Sequence, residues 1–234
     1  MKRIFIPTQA ASDWQHLLAK PKLHWKKAHS AMTTAACWEA AADRLPDEIA
    51  MVLESSKEPC LKDLRLLAAI PEWEVPLPGG ERSSFTDVLA LARNMLGLVT
   101  IAVEAKVDEE FGPTLLSKRT EASSGQNERI EHLQKLLRLK APLPDAIRYQ
   151  LLHRTASALI TAEAFHANSA VMLVHSFSPT ARWREDYLAF CSALGAKPLS
   201  DSVCVVPGFE RPKLYLAWCA GNKEFLEIEL PSVF

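Results

Sequence analysis

Glu104-Ala105-Lys106 sets an acid and a lysine two positions apart at the end of an apolar run, and Asp87 stands near the start of the run before it. In a strand, successive side chains point to opposite faces, so Glu104 and Lys106 share one face while Val103 and Ala105 point away. Two carboxylates meeting beside an ammonium suit Mg²⁺ or Mn²⁺, which prefer hard oxygen ligands and keep positions open for water and a phosphate. That set serves phosphodiester hydrolysis. The cation polarises the phosphate and lowers the pKa of an attacking water, while Lys106 orients that water or offsets charge growing in the transition state. An acid-x-Lys triplet arises by chance about once or twice in a chain of this composition. Here it occurs once, so its weight comes from its setting.

Leu98-Val-Thr-Ile-Ala-Val103 is rich in β-branched residues and predicts a central strand over 98–106. Before it, Pro78-Gly-Gly-Glu-Arg-Ser-Ser84 is the strongest loop signal in the chain, and it leads into a strand over 86–92. A hairpin turn at Asn94–Gly97 would fold that strand back and bring Asp87 to Glu104. Upstream, the alanine-rich stretch 28–44 predicts a helix with Ser30 available as its cap and Glu39 on it. Pro46 and two acids start a shorter helix over 45–54. A third helical stretch over 61–69 ends at Pro71. A short strand over 72–77 follows, placed near an edge by Pro76.

Residues 107–127 are polar and broken by glycine, proline and serine, and read as a mobile loop beside the strand ends. Helices are expected over 127–139 and 144–166. The second puts Gln150 and Arg154 on one face, with Ser157 and Thr161 extending a polar stripe. A buried strand over 170–174, a helix over 180–194, and strands near 203–206, 213–219 and 224–229 complete the expectation.

With 234 residues, 48% of them hydrophobic and 24% charged, the chain fits one soluble domain spanning 1–234. No apolar run approaches the roughly 18 residues that span a bilayer, and the opening MKRIFIPTQAASDW lacks an export signal, so a cytoplasmic protein is expected, with no membrane contact. The five cysteines are widely spaced, form no C-x-x-C pair, and read as reduced core residues, which argues against a structural zinc. A formal charge of -1 removes bulk attraction to nucleic acid, so such contact must be local. The best local stretch is 20–29, where Lys22, Lys26 and Lys27 surround Trp25. His175-Ser176 lacks a nucleophile elbow, and Gly79-Gly80 lacks the rest of a phosphate loop.

The blocks Gly79-Gly-Glu-Arg-Ser-Ser-Phe-Thr-Asp87 and Val103-Glu-Ala-Lys-Val-Asp-Glu-Glu-Phe-Gly112 are similar to those of an uncharacterised bacterial family in the PD-(D/E)XK nuclease superfamily. Ser30-Ala31, Trp38-Glu-Ala-Ala41, Arg148–Ala158 and Ala170–Ser178 extend the resemblance over nearly the whole chain. It implies an α/β (α+β) restriction-endonuclease-like core in α-β-β-β-α-β order, a four-stranded mixed sheet flanked by helices, with extra C-terminal strands. Asp87 matches the first acidic position, and Glu104 and Lys106 the second acid and the lysine. Glu39 corresponds to an acid that some members contribute from the first helix, and Gln150 to a helical glutamine or lysine near the phosphate. Thr86 stands where the motif's name has proline. The implied activity is a nuclease dependent on Mg²⁺ or Mn²⁺, with DNA as the nucleic acid and Arg154 a further contact to it. The rival is an inactive module of the same fold that binds nucleic acid or protein. A homodimer is left open.

Overall fold

Three β-rich runs form an antiparallel meander in the computed structural model, which describes residues 8–79, 82–120 and 124–232. Residues 1–7, Gly80 and Glu81 of the motif loop, Glu121, Ala122 and Ser123, and Val233 and Phe234 lie outside the described residues. The meander consists of β1 (Arg65–Val75), β2 (Ser84–Asn94) and β3 (Gly97–Lys106). Asn94 pairs with Gly97 across the two-residue turn Met95-Leu96. Gly97 has φ +128°, and a Cβ there would fall 2.2 Å from the Asn168 side-chain oxygen, so this corner accepts only glycine. The turn fixes the register. Val88 pairs with Val103, which sets Asp87 abreast of Glu104.

From β3 the chain passes through α4 (Leu115–Thr120), α5 (Ser124–Leu136) and α6 (Tyr149–Ala164) into β4 (Ser169–Ser176), which is parallel to β3. After α7 (Arg184–Ala193) come β5 (Lys197–Pro198), β6 (Val203–Val206) and β7 (Lys213–Ala220). β7 is parallel to β4, and β6 and β5 add antiparallel beyond it. The result is one mixed sheet in the order β1-β2-β3-β4-β7-β6-β5. It has seven strands rather than the expected four, because the buried run Leu214–Cys219 inserts beside β4 and carries the C-terminal strands into the same sheet.

Both faces are covered. On one, Leu151, Leu152, Ala156 and Leu159 of α6 pack on Leu89, Ala102, Met172 and Leu216. On the other, the short α1 (Pro21–His24) leads to α2 (Ser30–Ala41) and α3 (Asp47–Ser55). Met32, Trp38, Ile49 and Leu53 there meet Val88, Ile101, Leu173 and Tyr215. Each fully buried leucine or isoleucine contributes roughly 1.5–3 kcal/mol. Among the described residues no helix is long and apolar enough to cross a membrane.

Four elements depart from the sequence reading. The helix expected over 61–69 is a 3-10 turn followed by β1, whose burial alternates along Arg65–Ile70; pairing with β2 overrides the helical preference of Leu-Leu-Ala-Ala. Of the stretch expected as a mobile loop, residues 107–120 are ordered, since Phe111 is fully buried and α4 lies within them. α6 starts at Tyr149 rather than 144. The segment before it is tied back to 113–115 by Leu115 N donating to Ile147 O at 2.8 Å and Tyr149 N to Pro113 O at 3.0 Å. The strand expected over 224–229 is the 3-10 turn Lys223–Glu227, capped by Asn222 Oδ1 accepting from Glu224 N at 3.1 Å.

Candidate functional site

Glu104 is the hub of the site. It stands on β3 with 2% exposure, facing α6, and both its oxygens are taken. Oε1 accepts from Lys106 Nζ at 2.8 Å and from Gln150 Nε2 at 2.6 Å. Oε2 accepts from Arg154 Nε. One turn of α6 separates Gln150 from Arg154, which is why two side chains from one helix reach the same carboxylate. Arg154 also donates to Ser84 Oγ at 2.6 Å and lies 3.9 Å from Asp87 Oδ1. Asp87 Oδ2 accepts from the Ala105 amide at 2.7 Å, a cross-strand bond that fixes its rotamer. Lys106 lies 5.3 Å from the centre of the Phe111 ring, a cation-π contact beneath its ammonium.

A third acid joins the row. Glu72 falls between the pairs Pro71–Val88 and Trp73–Thr86, hence abreast of Asp87, and its φ of +48° is a rare backbone state for such a side chain. Glu72, Asp87 and Glu104 thus come from three adjacent strands and line one cleft of about 570 Å³. Burial and then the charge of Asp87 push the Glu72 carboxyl up to about 8. Burial and then Glu104 push Asp87 up to about 7, against the pull of Arg154 and Lys106. Burial also works against the charge of Glu104, but Arg154 and then Lys106 outweigh it and hold that carboxyl down at about 2. Glu104 stays ionised between two cations, while burial and the neighbouring carboxylates favour the protonated forms of Asp87 and Glu72.

Three carboxylates are the donor set that Mg²⁺ or Mn²⁺ prefers, so the residues fit such a cation in kind. Their oxygens do not all approach within 4.8 Å of one another. The Arg154 guanidinium lies among them, supplying the positive charge there.

A family model described as a domain of unknown function, DUF6946, matches residues 7–223. The chain belongs to this family. No curated protein and no solved structure matches it.

Within this DUF6946 chain, Asp87, Glu104, Lys106, Gln150 and Arg154 come together as one cluster. Arg154 enters it as a buried partner of Glu104 rather than as an open cation. Glu39 does not join. Its Oε1 accepts from Trp14 Nε1 at 2.7 Å and Thr8 Oγ1 at 2.8 Å, which anchors the N-terminal 3-10 turn to α2. Lys22, Lys26 and Lys27 are exposed, and Lys27 pairs with Glu227 at 3.0 Å. Their neighbours His24 and Trp25 line the cleft, so the basic stretch borders it. Arg148 binds Asp186 and Glu110.

Sequence reasoning missed Glu72 and Ser84, and gave His153 of the 144–166 helix no more weight than surface packing. His153 Nδ1 meets Ser84 Oγ at 3.1 Å, and burial, then Arg154, drive its pKa well below that of an ordinary histidine, so it is neutral. No sequence pattern marks Glu72; only the β1–β2 register places it beside Asp87.

Proposed function

We propose that this DUF6946 chain is a divalent-cation-dependent nuclease with a restriction-endonuclease-like core, acting on DNA in the cytoplasm. The observation that carries the reading is the β2–β3 register: Asp87 stands abreast of Glu104, with Lys106 on the same face, at the wall of a cleft. The order α2-β1-β2-β3-α6-β4 supports the fold reading, with β7, β6 and β5 as additions to it.

A divalent cation held by Asp87 and Glu104, with Glu72 beside them, would supply Lewis-acid polarisation of a phosphate and a more acidic water. The chain's own residues set up the rest. Gln150 and Lys106 orient Glu104, and the Ala105 amide orients Asp87. Lys106 brings its ammonium to where phosphate oxygens would gather. His24, Trp25, Lys118 and Tyr149 line the same cleft, offering cations and ring faces to a nucleic acid strand.

The test is a cleavage screen over single- and double-stranded DNA and RNA with Mg²⁺ or Mn²⁺. Cleavage that disappears in Glu104→Ala and Lys106→Ala is the expected result. Activity equal in wild type and both variants is contamination, and the nuclease reading then fails.

A second reading is favoured by Arg154, whose guanidinium lies where it already balances the acids: a non-catalytic module of the same fold that binds nucleic acid or protein. Calorimetry separates the two. Silence with Mg²⁺ and Mn²⁺, with and without DNA, selects the module; heat that grows in Arg154→Gln, where the competing cation is gone, selects the enzyme.

A further inference from the structure

On the opposite face of the sheet, Cys37 of α2, Glu48 of α3 and His175 of β4 converge. One potential ligand atom from each lies within 4.8 Å of the other two. Glu48 Oε1 is 3.6 Å from Cys37 Sγ and 3.2 Å from His175 Nε2. His175 has 0% exposure, and its Nδ1 meets no hydrogen-bond partner, so the ring is tied to its surroundings through Nε2. The Asn222 amide reaches the same Glu48 oxygen at 3.3 Å, and a Cβ on Gly221 would come 3.0 Å from His175 Nε2. The chain therefore passes over the cluster at a position where a side chain would press first on the Phe177 ring and then on the imidazole. Cys219, the register partner of His175 on β7, stands next to it.

We propose that Cys37, Glu48 and His175 form a binding site for a zinc-class transition-metal ion, separate from the acid row. Spacing supports it. Around a tetrahedral ion with bonds of roughly 2.3 Å to sulfur and 2.0–2.1 Å to nitrogen and oxygen, the S···O and N···O edges are roughly 3.5 and 3.3 Å. The observed 3.6 and 3.2 Å match those edges before any rearrangement. A thiolate, an imidazole and one carboxylate select zinc, cobalt or iron over Mg²⁺, which wants oxygen alone. On binding, the Cys37 S–H bond breaks and its proton leaves to solvent; the His175 proton that Nε2 gives to Glu48 is exchanged for one on the unpartnered Nδ1, and the sulfur and Nε2 electron pairs form the bonds to the ion. Three protein ligands leave one position for water or an added ligand. Glu48 is the least buried of the three, with 18% side-chain exposure, and gives the ion its way in beside Asn222. The ion would clasp α2 and α3 to the end of β4.

The cysteine spacing excludes a zinc ligand set close in sequence. Here each ligand comes from a different element, so no local pattern announces them.

The test uses the full chain, stripped with chelator and titrated with Co²⁺. With excess Mg²⁺ present to occupy the acid row, one Co²⁺ per chain is expected, with a thiolate-to-cobalt charge-transfer band in the near ultraviolet and strong tetrahedral bands in the visible, displaced by Zn²⁺. Cys37→Ser loses the charge-transfer band, and His175→Ala loses tight binding. Should either variant misfold, Glu48→Gln, altered at the rim, still weakens Zn²⁺ binding while circular dichroism reports a native fold. Glu104→Gln, in the acid row, leaves the cobalt spectrum unchanged. The proposal is overturned if the folded wild-type chain gives no stoichiometric cobalt complex, or if the complex survives in Cys37→Ser with its charge-transfer band intact.

Discussion

Two polar clusters occupy the same end of the sheet on opposite faces, and adjacent strands serve both. Ala105 lies between Glu104 and Lys106 and is the register partner of His175, so the pleat sends Glu104 and Lys106 toward α6 while His175 meets α2 and α3. The α6 side gathers three carboxylates around an arginine and a lysine; the other side gathers a thiol, an imidazole and a single carboxylate. Alternation in a strand is thus enough to keep hard-ligand and soft-ligand chemistry apart across one layer of backbone. The two also differ in how they balance charge. On the α6 side Arg154 and Lys106 neutralise Glu104 within the chain, whereas among the described residues Glu48 is met by the Cys37 thiol, the His175 imidazole and the Asn222 amide.

That difference is broken most severely at Glu104. Removing it strands two buried cations, so Glu104→Ala is expected to lower unfolding stability by about 3–5 kcal/mol in urea titration, beyond the loss of cleavage. A change under about 1 kcal/mol would mean that Arg154 and Lys106 escape to solvent and that the cluster is not a closed network.

Next comes pH. Asp87 and Glu72 keep their protons up to about 7 and about 8, while in the unfolded chain both ionise near 4. Their contribution to stability is therefore full below about pH 4 and is lost as pH rises through 7 to 8. A divalent cation competes with those protons, so Mg²⁺ should raise the melting temperature more at pH 8 than at pH 6. Equal shifts at both values would separate the acids from the cation. Zn²⁺ at the opposite cluster, added to Asp87→Asn, should still stabilise.

Glu109 offers a smaller effect. Its carboxylate accepts from Ser30 N at 2.9 Å and Val107 N at 2.8 Å, capping the start of α2 from across the cleft. Burial works against its charge, but the backbone N–H groups of Ser30 and Val107 outweigh it and hold its carboxyl below the usual range. This stabilisation is present above the unfolded pKa and is lost as pH falls through the folded one. Glu109→Gln should cost about 1 kcal/mol near neutral pH and flatten the acid limb of the stability profile. An unchanged acid limb would remove Glu109 from the α2 cap.

The mildest change is on the rim. Lys22→Ala, Lys26→Ala and Lys27→Ala together should weaken DNA binding and reduce the slope of log K against log salt by about 0.9 per lost phosphate contact, with Lys27 contributing least because Glu227 already holds it. An unchanged slope would move the nucleic acid path away from this edge.

Much of this was legible from residue order. The β-branched run before Glu104 gave β3 within one residue, the Asn94–Gly97 turn gave the hairpin, and the helical spacing of Gln150 and Arg154 gave their shared face. Where local preference and long-range pairing conflicted, pairing won, as at Arg65–Ile70, drawn into β1 by the edge of β2. The expected third helix gave way for that reason, whereas the last strand gave way to a local contact, the Asn222 cap that closes the Lys223–Glu227 turn. Glu39 looked as available as Glu104, and only the fold shows Trp14 and Thr8 holding it elsewhere.

By itself, then, the sequence determined which side chains share a strand face or a helix face, because those periods are set by the backbone alone. The tertiary structure decided which acids meet, where Arg154 is buried, and that Cys37, Glu48 and His175 converge. Those contacts depend on sheet register and layer packing, and their partners lie far apart along the chain.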